Sequence, residues 1–188
     1  MGSLRVIFWG TRGLISSPRS ETAIFGGNTP CIEIRNNCED IVLVDSGFGI
    51  SNYGEQLMQE IIADGRQYNI HILYTHFHWD HIQGLPFFQP IYLPQTKLHL
   101  YSPLDTQITH DNLNILFDGS YSPFAGIDSM PSEINLHPLQ GPVQIGDLDV
   151  RFCQLDHGPQ SDSCQTFAYR FDTAEQKSAV IVTDHEAR

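Results

Sequence analysis

Three imidazoles and one carboxylate fall within six residues, His76-Phe77-His78-Trp79-Asp80-His81, directly after the apolar run Asn69 to Thr75, NIHILYT. Such a run reads as a buried strand, so the cluster lies on the loop that leaves a strand end. In an extended loop, residues two apart point the same way. His76 and His78 can therefore share one cation, while the turn through Trp79 presents Asp80 and His81 to a second. Nitrogen and oxygen donors without thiolate suit zinc best, with manganese or iron as alternatives. The bland reading is a histidine-rich surface loop with no metal. A metal pair needs further ligands, at least one His and one carboxylate near strand ends. His157 follows the strand-like QLD and precedes Gly158-Pro159, and Asp184 follows AVIVT, where its carboxylate can bridge two metals. Against these stand a turn role for His157 and a helix cap before Glu186 for Asp184.

The rest of the chain supplies a scaffold for such a loop. Leu4 to Trp9, Cys31 to Arg35 and Ile41 to Val44 are short, β-branched or alternating runs bounded by turn residues, and they predict strands. From Tyr53 to Ala63 the spacing of Leu57, Ile61 and Ile62 predicts a helix that stops at Gly65. KLHLYS predicts another strand, Gln107 to Leu116 a helix, and Ser120 to Ser132 no regular element. Four more strands are expected at Ile134 to Leu139, Leu148 to Leu155, Gln165 to Phe171 and Ala179 to Thr183. Two batches of strands with helices between them imply an α/β protein of two packed sheets. With 188 residues, 40% of them hydrophobic, the chain can bury one core, and a single domain over 1–188 is expected.

Several segments resemble the metallo-β-lactamase superfamily, in its ribonuclease Z-like and cyclic-nucleotide-phosphodiesterase-like branch. They are FWGTRG, GGNTPCIEIR, VDSG, HFHWDHIQGLPFF, LDHG and the terminal IVTDHE, which together span essentially the whole chain. The resemblance implies an αββα sandwich of two packed mixed sheets flanked by helices. It also implies two divalent metals: His76, His78 and His157 hold one, Asp80 and His81 the other, and Asp184 bridges them. Asp80 and Asp184 are the carboxylates it places in catalysis. Asp45 becomes an outer partner that orients the histidine loop, in keeping with the need to fix imidazole tautomers. Members of the family continue past the TD strand to a final histidine of the second metal site. This chain stops at Arg188, so it is expected to lack the last strands, to hold the second metal poorly, and to leave a sheet edge open to a second copy.

Charge selects among substrates. A bridging water between two cations becomes a hydroxide nucleophile near neutral pH whatever the substrate, and phosphodiester hydrolysis suits two metals that stabilise entering and leaving oxygens. The net charge of -12 favours a small phosphodiester such as a cyclic nucleotide over a long nucleic acid, which usually needs a basic surface. A thioesterase of the glyoxalase type, ribonuclease Z-like RNA processing and a non-catalytic metal-binding domain are the alternatives. No signal peptide or membrane span is visible, and Cys31, Cys38, Cys153 and Cys164 form no CxxC pair, so a cytoplasmic protein with reduced thiols is expected.

Weaker features complete the reading. The segment Gly10 to Gly13 lacks a phosphate-loop ending and is expected to be a turn near the site, from which Arg12 could meet a substrate phosphate. Among the aromatic residues near the prolines, Phe87 is assigned to the core and Phe88 is a candidate for stacking on substrate. His71, His99, His110 and His137 are expected to be structural or exposed.

Overall fold

The computed structural model describes residues 4–36, 40–120, 122–158 and 165–186. The first sheet runs in the order β1 (Arg5–Gly10), β2 (Cys31–Arg35), β3 (Ile41–Val44), β4 (Tyr68–Leu73), β5 (Thr96–Ser102), β6 (Glu133–Pro138). Pairing is antiparallel from β1 to β3 and parallel from β3 to β6, so this sheet is mixed. The second sheet, β10 (Ser178–Ile181), β9 (Thr166–Thr173), β8 (Leu148–Leu155), β7 (Val143–Ile145), is antiparallel throughout. That corrects the expectation of two mixed sheets. Its physical reason is connection length: Ile145 pairs with Leu148 across a two-residue turn, and antiparallel neighbours are what short hairpins produce. The three-residue β7 was not foreseen.

Parallel pairing of β3 and β4 requires a crossover, and α1 (Gly49–Asp64) supplies it. Ile50, Tyr53, Leu57 and Ile61 recur at three- and four-residue steps and are all buried, which makes one apolar face. Gly65, at φ 64°, closes the helix in the left-handed conformation with its N–H on the Ile61 carbonyl. That face packs with Leu43, Ile70, Ile72, Leu98 and Leu100 on the outer side of the first sheet. The helix α3 (Thr106–Asn114) adds Leu113 to the same cluster and is capped by Asp105, which accepts from the Gln107 N–H. A second cluster, with Ile34, Val42, Val44, Tyr101, Val150, Tyr169 and Phe171, fills the space between the sheets and contains no helical residue. Helix, sheet and sheet are thus three of the four layers of the expected sandwich among the described residues.

The segment after the histidine cluster changes one expectation. Short 3-10 turns occupy Leu85–Phe87 and Gln89–Tyr92, each with a proline in its first two positions. They turn Phe88 into the core, with no exposed surface and against Gly54 of α1, and leave Phe87 57% exposed. Core and surface are therefore exchanged between the two rings. Phe88 offers no face to a substrate, because the two proline turns direct its ring under α1.

Candidate metal centre

The site forms where four strand exits meet. Asp45 follows β3, His76 to His81 follow β4, and Asp184 follows β10. His157 leaves β8 on a turn whose Gly158 has φ 60°. The cluster itself bends into a four-residue helix, α2 (Trp79–Ile82), so Asp80 and His81 lie on successive helical positions and not on a continuing extended loop. The loops are laced by backbone bonds: the Ser46 N–H donates to the His81 carbonyl at 2.8 Å, and the Gly84 N–H to the Ser46 carbonyl at 2.9 Å. Only glycine fits at Gly47 and Gly84. A Cβ on Gly47 would lie 2.3 Å from the Asp80 carbonyl, and one on Gly84 2.2 Å from the Gly47 carbonyl.

Two groups of ligand atoms result. His76, His78 and His157 form one, and His76, His81 and Asp184 the other, each with all donor atoms within 4.8 Å of one another. Asp184 Oδ2 is central, 2.9 Å from His81 Nε2, 3.4 Å from His76 Nε2 and 4.0 Å from His157 Nε2. His157 Nε2 and His78 Nδ1 approach to 3.3 Å. Asp80 lies at the margin: its Oδ2 is 3.6 Å from His81 Nε2 and accepts the Leu14 N–H at 2.8 Å. Asp45 is fully buried. Its Oδ2 is 2.7 Å from His81 Nδ1, and its Oδ1 accepts the Thr75 N–H at 2.7 Å.

Charge and burial sort these groups. Burial, aided by the neighbouring His81 and His78, holds the His76 imidazole down to about 2, with Asp184 opposing. His78 is lowered in the same way, by burial first and then by His157 and His81. Burial also disfavours the His81 cation, yet Asp45, Asp184 and Asp80 outweigh it and raise that imidazole to about 10. The hydrogen bond from His81 holds the Asp184 carboxyl at about 2 against its partial burial. His76 Nε2 is buried and has no hydrogen-bond partner among the described residues. A buried, unpartnered imidazole nitrogen facing a carboxylate oxygen fits a divalent cation, which would replace the missing partner.

Several contributors had escaped the sequence reading. Leu14 holds Asp80 through its backbone, from the exposed loop after Gly10. Glu186 accepts the Gly158 N–H at 2.8 Å and donates its own N–H to the Asp156 carbonyl at 2.8 Å, which ties the His157 turn to the segment after Asp184. The Thr75 hydroxyl touches the ligand set, 3.1 Å from His76 Nδ1, and the Thr183 hydroxyl donates to that of Thr75 at 3.2 Å. A polar residue directly before the cluster was the available signal for Thr75. Arg12 uses its Nε–H on the Ile15 carbonyl at 2.9 Å, within its own loop. Outside the cluster, His71, His99 and His137 line up across β4, β5 and β6, and His110 binds Asp128 at 3.1 Å. Cys31 and Cys153 are free thiols, whereas Cys38 and Cys164 lie outside the described residues, as does Pro159.

Comparison with known proteins agrees with this fold. Residues 41–187 match the family model for the β-lactamase superfamily domain. The chain belongs to the metallo-β-lactamase superfamily, on its ribonuclease Z-like branch. It is 32% identical over 161 residues to ribonuclease Z of Thermococcus kodakarensis, covering 82% of this chain and 44% of that protein. The metallo-β-lactamase fold protein YhfI of Bacillus subtilis superposes with a TM-score of 0.58 at 16% identity, over 94% of this chain and 60% of its own. The candidate metallo-β-lactamase tm0894 of Thermotoga maritima gives 0.51 at 16% identity, over 95% and 77%. The chain thus spans less than two thirds of the ribonuclease Z and of YhfI.

Proposed function

We propose that this chain carries the metal-binding centre of a metal-dependent hydrolase acting on phosphodiesters, and that its substrate is small, such as a cyclic nucleotide. The observation that carries the reading is the convergence of His76, His81 and His157 on one oxygen of Asp184, from three separate parts of the chain. His76, His78 and His157 would hold one divalent ion, and His81 and Asp184 a second, with Asp80 beside it and Asp184 between them. Zinc suits this nitrogen-rich set, with manganese and iron as alternatives. Two divalent cations there would supply Lewis-acid charge to an entering water and a leaving oxygen.

The protein's own groups would do the rest. Asp45 accepts at His81 Nδ1, so His81 Nε2 faces Asp184 and the metal position. The Leu14 amide holds the Asp80 carboxylate at the mouth of the site. On the flank of α2, Trp79, Phe87, Ile115 and Leu116 line an apolar cavity of about 480 Å³, suited to a planar part of a small substrate. The net charge of -12 supports the small substrate over a long polyanion. The similarity to ribonuclease Z supports a second reading, in which the phosphodiester belongs to RNA.

The test is hydrolysis of bis(p-nitrophenyl) phosphate, 3′,5′-cyclic nucleotides, a short RNA and a thioester, with added zinc or manganese and with a chelator. Metal-dependent release of nitrophenol and opening of the cyclic nucleotide are expected. Cleavage of the thioester alone would overturn the phosphodiester assignment, and cleavage of RNA without the cyclic nucleotide would overturn the small substrate.

A further inference from the structure

Thr75 stands between the end of β4 and the first histidine, and it is completely buried. Its hydroxyl donates to Asp45 Oδ2 at 2.8 Å. A hydroxyl has one proton and two acceptor sites. With that proton committed, Thr75 Oγ1 can only accept from its other two neighbours, His76 Nδ1 at 3.1 Å and the Thr183 hydroxyl at 3.2 Å. All three positions of the oxygen are then used. His81 Nδ1, 3.4 Å away, has its own shorter contact of 2.7 Å with Asp45 Oδ2.

This arithmetic fixes a tautomer. If Thr75 Oγ1 is an acceptor toward His76, the proton of that imidazole resides on Nδ1, and the Nε2 lone pair points to Asp184 Oδ2, 3.4 Å away. That Nε2 is the buried atom with no hydrogen-bond partner among the described residues. A proton on Nε2 instead would leave Nδ1 facing a hydroxyl that has no proton left to give. Thr183 immediately precedes Asp184, so its bond to Thr75 joins the strand exit that carries the carboxylate to the loop that carries the histidines.

We infer that Thr75 is a positioning residue that sets the tautomer of His76 for metal binding, and that Thr183 keeps the Thr75 hydroxyl turned toward Asp45. The inference rests on the metal-holding reading of the site. Neither threonine needs to touch a metal or a substrate. Each acts through the imidazole, as outer partners of metal-bound histidines do.

The test uses the 188-residue chain and its variants Thr75→Val, Thr75→Ser and Thr183→Val. In the metal-free protein at neutral pH, long-range 1H–15N NMR should show His76 protonated on Nδ1 in the parent and in Thr75→Ser. Thr75→Val should shift the population toward Nε2–H. Competition with a chromophoric chelator should show zinc bound about 10- to 100-fold more weakly by Thr75→Val and close to normally by Thr75→Ser. Thr183→Val should move both readouts in the same direction by a smaller factor. An unchanged tautomer in Thr75→Val would overturn the inference. So would equal zinc losses in the Ser and Val variants, since a packing role would not distinguish them by the hydroxyl. If far-UV circular dichroism shows Thr75→Val unfolded, Thr183→Val decides, and an unshifted tautomer there overturns it. If the parent binds no zinc, the metal reading fails, while the tautomer measurement still decides the role of Thr75.

Discussion

Asp45 occupies a backbone φ of 61°, a region that side-chain-bearing residues rarely adopt. Its carboxylate holds it there, meeting the Thr75 N–H, the Thr75 hydroxyl and His81 Nδ1. Asn tolerates this φ, but an amide has one acceptor oxygen where the carboxylate has two, and its NH2 would face a donor. Asp45→Asn should therefore fold and bind zinc about 10- to 100-fold more weakly in a chelator competition. Retained affinity would show that His81 needs no such partner. A different prediction concerns His71, which stacks on His99 with centroids 4.7 Å apart and has Nδ1 3.0 Å from the Tyr101 hydroxyl. Burial first, then His99 and His137, depresses the His71 imidazole to about 4 from an ordinary 6.5. The unfolded chain then binds the extra proton between these values. The His71 contribution is present in full above about pH 6.5 and is lost as the pH falls toward 4. Melting temperatures across that window should fall less steeply for His71→Leu than for the parent. Parallel profiles would exclude His71 as their source.

At the scale of elements, the two proline-bearing turns after α2 decide which aromatic ring supports the site. Phe88 lies under α1 with no exposed surface, and Phe87 stands out beside Phe48 at a centroid distance of 5.4 Å. Phe88→Ala should cost about 3–5 kcal/mol in urea unfolding, the usual range for emptying a large aromatic site. Phe87→Ala should stay within about 0.5 kcal/mol, as exposed substitutions do. Equal costs would mean that the turns settle differently in solution. Elsewhere the loops that meet in the site depend on contact between backbones, because Gly47 sits against the Asp80 carbonyl and Gly84 against Gly47 itself. The second sheet presents β10 at one end, paired to β9, with Val180 and Val182 at least half exposed.

For the molecule as a whole, candidate ligands that follow β4 in the first sheet and β8 and β10 in the second mean that a metal bound between them would join the two sheets. Binding to the folded chain alone stabilises it by mass action, by about 2.7 kcal/mol at a free metal concentration one hundred times Kd. Zinc should raise the melting temperature in proportion to the logarithm of its concentration, and a chelator should reverse the rise. His157→Ala, which removes one donor of the first group, should reduce the rise without abolishing it. A melting temperature indifferent to zinc and manganese would count against a centre spanning both sheets. Among the described residues, no helix is long and apolar enough to cross a membrane.

The sequence by itself determined which residues are candidate ligands and most of their scaffold. His76, His78, Asp80 and His81 follow an apolar run, while His157 and Asp184 each end a strand-like segment, and these are local patterns that survive without knowledge of packing. Tertiary structure decided what local pattern cannot encode. It set Asp80 against the backbone of Leu14, 66 positions away in sequence, and Thr183 against Thr75, 108 positions away. It aligned His71, His99 and His137, which come from three different strands, into one row. It put Phe88 and not Phe87 in the core, because the direction of the two proline turns depends on the α1 face beneath them. Periodicity reports which side of its own element a residue occupies. Which residue it then meets is settled by the sheet order and by the close backbone approaches that only Gly47 and Gly84 allow.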